Sequence, residues 1–83
     1  MPVKQITYTR LATKALAKMQ ARQRSTIVSK INAYAKDPSS QANNVKKLQG
    51  RTGIRLRVGD YRVIMEDGKV LAVLDVGPRG SIY

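Results

Sequence analysis

Residues 54–76, IRLRVGDYRVIMEDGKVLAVLDV, decide the fold. Val58-Gly59-Asp60-Tyr61 is a hairpin signal, with glycine in the first central position as a type II′ turn requires. A two-residue loop fixes the register. It sets Val58 opposite Tyr61, Arg57 opposite Arg62, Leu56 opposite Val63, Arg55 opposite Ile64 and Ile54 opposite Met65. Side chains alternate between faces along a strand. One face therefore gathers Ile54, Leu56, Val58, Tyr61, Val63 and Met65. The other gathers Arg55, Arg57 and Arg62, with Ile64 and Glu66. Asp67-Gly68 reads as a second, type I′ turn. With Glu66 opposite Lys69, the third strand sends Val70, Ala72, Leu74 and Val76 to the core face. Leu71, Val73 and Asp75 go to the arginine face.

That arginine face calls for a physical reason. Like charges directly opposite on neighbouring strands repel. Arg57 and Arg62 form such a pair, with Arg55 two residues away. The face is either a solvated exterior, partly offset by Glu66 and Asp75, or a surface built to receive a polyanion. The whole chain carries 16 Lys+Arg against 5 Asp+Glu, a net charge of +11 over 83 residues. On so small a domain this charge points to nucleic acid, the ribosome or an acidic protein.

Working outward, the N-terminal residues 1–8 have weak edge-strand character, with Ile6 and Tyr8 two apart. Thr9 is placed to cap a helix. Ala12, Ala15, Leu16 and Met19 then recur at helical spacing, followed by a break within 20–23. Ile27, Val28, Ile31, Tyr34 and Ala35 mark a second helix. Asp37-Pro38 ends it, because the residue before proline is pushed out of the helical region. Residues 38–44, PSSQANN, read as a loop. Residues 45–53 approach the first hairpin, with Leu48 turned to the core and Lys46, Lys47 and Arg51 along the approach. The expected fold is α+β: two helices packed on the apolar face of a small, mainly antiparallel sheet. Residues 1–83 make a single domain.

Composition excludes much chemistry. There is no cysteine and no histidine. Disulfide frameworks, cysteine and histidine metal sites and histidine-dependent triads are therefore absent. Gly50-Arg51-Thr52-Gly53 lacks the spacing of a phosphate loop. The five acids are scattered and make neither a glycosidase pair nor a metal cage. No apolar run approaches the ~20 residues of a membrane span. The N-terminus has no signal-peptide core. The expected location is the cytoplasm. What remains is cationic chemistry on phosphodiesters. Guanidinium groups bind phosphate through two prongs and stay charged. Several of them can stabilise charge that grows in a transition state. In RNA the neighbouring 2′-OH serves as nucleophile, so no side-chain nucleophile is needed. A basic RNA-binding module would use the same residues without cleaving anything.

Three stretches carry a resemblance. They are Val45-Lys46-Lys47-Leu48-Gln49-Gly50, then Arg55-Leu56-Arg57-Val58-Gly59-Asp60-Tyr61-Arg62-Val63-Ile64, then Val76-Gly77-Pro78-Arg79 with Ile82-Tyr83. Together they resemble the RelE-type toxins of the RelE/ParE toxin–antitoxin superfamily, over nearly the whole chain. The resemblance implies a β-α-α-β-β-β fold. It implies a ribosome-dependent mRNA endonuclease that cuts message in the A site through the 2′-OH, leaving a 2′,3′-cyclic phosphate and a 5′-OH. No metal and no other cofactor is implied. The implied partners are the ribosome, mRNA and a cognate antitoxin, acidic or partly disordered when free, in a hetero-oligomer. Ile64, Leu71 and Val73 are candidate antitoxin contacts, or else are covered by the chain's own tail.

By the same resemblance, Arg62 is a phosphate and transition-state contact. Arg79 serves charge stabilisation or protonation of the leaving group, and Tyr83 stacks on or positions the nucleotide. Arg55 completes the implied catalytic set, with Lys46, Lys47, Arg51 and Arg57 as RNA contacts. Arg55 and Gly53 stand where the best-known member carries lysines. Arginine does not deprotonate under ordinary conditions, so the general base is unassigned. Two alternatives stay open: a ParE-type DNA gyrase inhibitor with the same fold, and a non-catalytic basic RNA-binding protein.

Overall fold

The computed structural model describes residues 4–50 and 52–78. In chain order they form β1 (Ile6–Tyr8), α1 (Arg10–Ala17), α2 (Ala21–Lys36), a 3-10 segment (Pro38–Asn44), β2 (Val45–Lys47), β3 (Ile54–Val58), β4 (Tyr61–Asp67) and β5 (Leu71–Pro78). The five strands make one sheet in the order β1-β5-β4-β3-β2. β1 lies parallel to β5, and the other three pairings are antiparallel. The architecture is the expected α+β one, with one strand more. The stretch expected only to lead into the hairpin pairs with β3 as β2. Residues 38–44, expected as a loop, wind into the 3-10 segment.

Local chemistry sets the helix ends. The Thr9 side-chain oxygen accepts a hydrogen bond from the Ala12 N–H at 3.1 Å, filling one of the donors that a helix start leaves open. Asp37 closes α2 in an extended conformation, φ −153°, as the following proline demands. Its carboxylate then accepts from the Ser39 N–H at 3.2 Å and the Ser39 hydroxyl at 2.7 Å, starting the 3-10 segment.

The core forms where the helix stripes meet one sheet face. Ala12 and Leu16 of α1 and Ile27, Ile31, Tyr34 and Ala35 of α2 pack on Leu56, Val58, Val63 and Met65. The first hairpin has the expected register at all five positions. Gly59 takes φ +58° at its turn, where a side chain would be strained.

The second hairpin departs from expectation. Asp67 pairs with Leu71, leaving the three-residue loop Gly68, Lys69 and Val70 rather than a two-residue Asp-Gly turn. Asp67 is held as a strand residue by its side chain. It accepts from the Tyr34 hydroxyl at 2.8 Å and pairs with the Lys4 ammonium. The changed loop turns Leu71 and Val73 into the core, both fully buried. Val70 becomes exposed, and Ala72 and Leu74 are half-buried, so these three are not the core residues expected of them.

A bulge then restores the pattern. Met65 pairs with Val73 and Ile64 with Asp75, so Leu74 is the extra residue. Val76 faces the core as expected, opposite Val63. Thr9 clasps the bulge: its N–H donates to the Val73 carbonyl at 3.0 Å and its hydroxyl to the Leu74 carbonyl at 2.6 Å. One threonine thus starts α1 and ties it to β5. Leu48 is half-buried beside Gly53, outside the core cluster.

Candidate nucleic-acid interface

The sheet face away from the helices is where the arginines gather. Lys46 of β2 stands opposite Arg55 of β3, and Arg55 stands opposite Ile64 of β4. One step along, Arg57 stands opposite Arg62. Strand alternation sends all four cations to the same face. They line a hollow of about 150 Å³, closed at one side by Asn43 and Asn44 from the end of the 3-10 segment. Arg57 and Lys46 are exposed, and Arg55 and Arg62 are half-buried, each with an interaction of its own. The β2 edge thus supplies a wall to the hollow.

The hollow has the chemistry of an anion site. Three guanidinium groups and one ammonium converge with two amide side chains. A phosphodiester can accept from the guanidiniums through two oxygens, while an amide can meet a ribose or a base edge. The mutual repulsion of Arg57 and Arg62 is offset when a phosphate lies between them.

Not every expected residue joins this hollow. Lys47 alternates to the other side of β2, opposite Ile54, and lines a separate depression with Leu48, Thr52, Gly53 and Asp67. Arg51, Arg79 and Tyr83 lie outside the described residues. Leu71 and Val73, proposed as antitoxin contacts, are core residues, because the second hairpin's register places them there. Ile64 is fully buried on the arginine side and offers no surface. Asn43 and Asn44 were not singled out from sequence. The signal was available only through β2: pairing Val45 with Leu56 brings the residues just before it beside Arg57.

The backbone accounts for the glycine at position 53. It adopts φ +118°, and a Cβ there would lie 3.0 Å from the Met65 carbonyl oxygen and 3.3 Å from Leu48 Cδ1. A side chain at this position is strained by the positive φ, and the Met65 carbonyl would have to shift by a few tenths of an ångström to admit it.

A second polar cluster lies at the opposite end of β4. Burial and the hydrogen bond to Asp67 push the Tyr34 hydroxyl up to about 12. The Lys4 ammonium, helped by Tyr34, holds the Asp67 carboxyl below its usual range. This cluster joins Lys4, two residues before β1, to α2 and the end of β4, away from the arginine hollow.

Comparison with known proteins agrees with this fold. The sequence matches the family described as "ParE toxin of type II toxin-antitoxin system, parDE" over residues 6–83. A RelE chain from the RelE–RelB complex of the archaeon Pyrococcus horikoshii OT3 superposes with a TM-score of 0.80 at 25% identity, over 98% of this chain and 100% of that one. A chain of the RelB–RelE complex from Methanococcus jannaschii gives 0.70 at 27% identity, over 93% and 94%. A chain of the intact Escherichia coli RelBE complex gives 0.69 at 25%, over 90% and 95%. Curated protein sequences gave no match. The fold is that of RelE/ParE-superfamily toxins. The chain belongs to the ParE-toxin family of type II toxin–antitoxin systems.

Proposed function

We propose that the toxin is a RelE-type, ribosome-dependent endonuclease that cuts mRNA in the A site through the 2′-OH. The observation that carries this reading is the convergence of Lys46, Arg55, Arg57 and Arg62 on one hollow beside two asparagine amides. In this reading Arg62 and Arg55 hold the scissile phosphate and stabilise the charge that grows on it. Arg57 and Lys46 position the backbone of the message. Arg79 follows β5 and adds a further cation, and Tyr83 stacks on a base. Lys47 contacts RNA from its separate depression, and Arg51 is a further RNA contact. The 2′-oxygen attacks phosphorus, the P–O5′ bond breaks, and a 2′,3′-cyclic phosphate and a 5′-OH result. The ribosome supplies alignment of the message, worth orders of magnitude in rate.

Site of action follows from target, so the toxin works in the cytoplasm. Its control is an antitoxin, a partner supported by the RelB-bound relatives, and in this reading the antitoxin covers the cationic face. An acidic antitoxin segment complements the net charge of +11.

One observation favours a second reading. The family that matches is named for ParE, whose target in this reading is DNA gyrase. The test is a purified one. Programmed bacterial ribosomes are mixed with the toxin, and the A-site codon is examined for a new 5′-OH end. The proposal expects cleavage by the parent chain and its loss in Arg62→Ala, with the circular dichroism spectrum unchanged. No cleavage, combined with covalent gyrase–DNA complexes in a parallel assay, would transfer the chain to the gyrase reading.

A further inference from the structure

The helix layer carries charge of one sign only. Every charged residue in 10–36, the stretch that holds α1 and α2, is Lys or Arg. A helix surface that serves solubility alone mixes both signs, and acid–base pairs three or four residues apart stabilise it. No such pair exists within these helices. Their layer packs on the sheet face away from the arginine hollow. A message lying in the hollow therefore leaves it uncovered.

Within this layer α2 is ordered along its length. Helical spacing sets Arg22, Ser25, Ser29, Asn32 and Lys36 on one ridge. All five are exposed, and the ridge lies opposite the buried Ile27, Ile31, Tyr34 and Ala35. At 1.5 Å per residue it runs ~21 Å. Each member donates hydrogen bonds, and none is acidic, apolar or aromatic. These are the side-chain types that contact phosphate and sugar in nucleic-acid complexes. Arg22 also stands in the first turn of α2, where the helix dipole disfavours a cation and no acid offsets it. An anion beside that turn removes the cost.

The pattern along the ridge selects the kind of polyanion. Single strands are held by stacking their bases on aromatic side chains. The aromatic of α2, Tyr34, is buried and donates its hydroxyl to Asp67. A duplex, by contrast, offers backbone. DNA is read by a helix set into a deep major groove, through base edges. An RNA duplex presents a wide, shallow minor groove lined with 2′-hydroxyls. The ridge has a cation at each end and short hydroxyl and amide side chains between them. That order matches two phosphate strands with 2′-hydroxyls across the groove. We propose that the outer ridge of α2 is a second RNA-binding surface, which takes an RNA duplex across its minor groove. Arg22 and Lys36 meet phosphates, and Ser25, Ser29 and Asn32 meet 2′-hydroxyls. This surface is separate from the hollow and goes beyond the cleavage reading.

Fluorescence anisotropy tests it with three labelled probes: a ~16-base-pair RNA duplex, the DNA duplex of the same sequence and one RNA strand alone. The parent chain is compared with two double variants, Arg22→Gln with Lys36→Gln on the ridge and Lys46→Gln with Arg57→Gln in the hollow. Glutamine keeps helix propensity, and circular dichroism checks each fold. The ridge variant is expected to bind the RNA duplex about tenfold more weakly, with the salt slope reduced by about 2, and to keep its affinity for the single strand. The hollow variant is expected to show the reverse preference. An unchanged duplex affinity in the ridge variant would overturn the proposal. So would equal losses on duplex and single strand, which would make the charge diffuse. A parent chain that binds the DNA duplex as tightly as the RNA duplex, or binds no RNA duplex, would also overturn it. None of these outcomes depends on cleavage, so this proposal and the ribonuclease reading fail separately.

Discussion

Arg57 and Arg62 face each other across β3 and β4, an arrangement that costs stability in the free protein. A site that pays this cost gains when an anion arrives. Arg57→Thr should therefore raise stability by roughly 0.2–1 kcal/mol while weakening RNA binding. Thermal melts and RNA titrations on the same variant check both signs. A variant both less stable and equally tight would remove the electrostatic argument. Gly53 makes the opposite case. Gly53→Lys should cost about 1–3 kcal/mol, through positive φ and the close Met65 carbonyl. A melting temperature equal to the parent's would show that the backbone adapts there at no cost. The arginines were legible in sequence because a two-residue loop fixes every partner. Asn43 and Asn44 were not, because their place depends on β2, whose three residues carry no strong strand pattern.

Among the elements, β5 shows where local reading stops. Asp-Gly is a strong turn signal, yet Asp67 is engaged by Lys4 and Tyr34, 63 and 33 residues away in sequence. Contacts that distant leave no periodicity to read. The bulge at Leu74 is likewise held by Thr9, on the other side of the chain. The inward residues follow from these ties. Leu71→Ala should cost about 2–5 kcal/mol, whereas Leu74→Ala should cost less, being half-buried on the bulge. Equal losses in denaturant melts would contradict the bulged register. Thr9→Ala should cost about 1 kcal/mol or more, because both a helix cap and a clasp are lost. The Asp67 cluster predicts a pH dependence. Its carboxyl is held low, so its contribution is full above the ordinary aspartate range and is lost as pH falls through the lowered value. Tyr34 is raised, so its contribution is full below its ordinary value of about 10 and is lost as pH rises toward about 12. Asp67→Asn should remove about 1 kcal/mol at neutral pH and flatten the acid limb of the stability profile.

For the whole molecule, fold and class were readable because two independent features agree. Apolar stripes on the helices meet the apolar face of a hairpin, and Lys46, Arg55, Arg57 and Arg62 gather on the face left over. If the ribonuclease proposal holds, the net charge of +11 makes ribosome association fall steeply with added salt. The fold does not choose the target, since the RelE-type and ParE-type toxins of the superfamily share it. One measurement tests that choice most directly. A short pulse of expression in bacteria is followed by genome-wide mapping of mRNA 5′ ends, with Arg62→Ala expressed to the same level. Ribosome-dependent cleavage predicts new ends in phase with codons, present in the parent and lost in the variant. Growth arrest with no such ends would contradict it and point to gyrase.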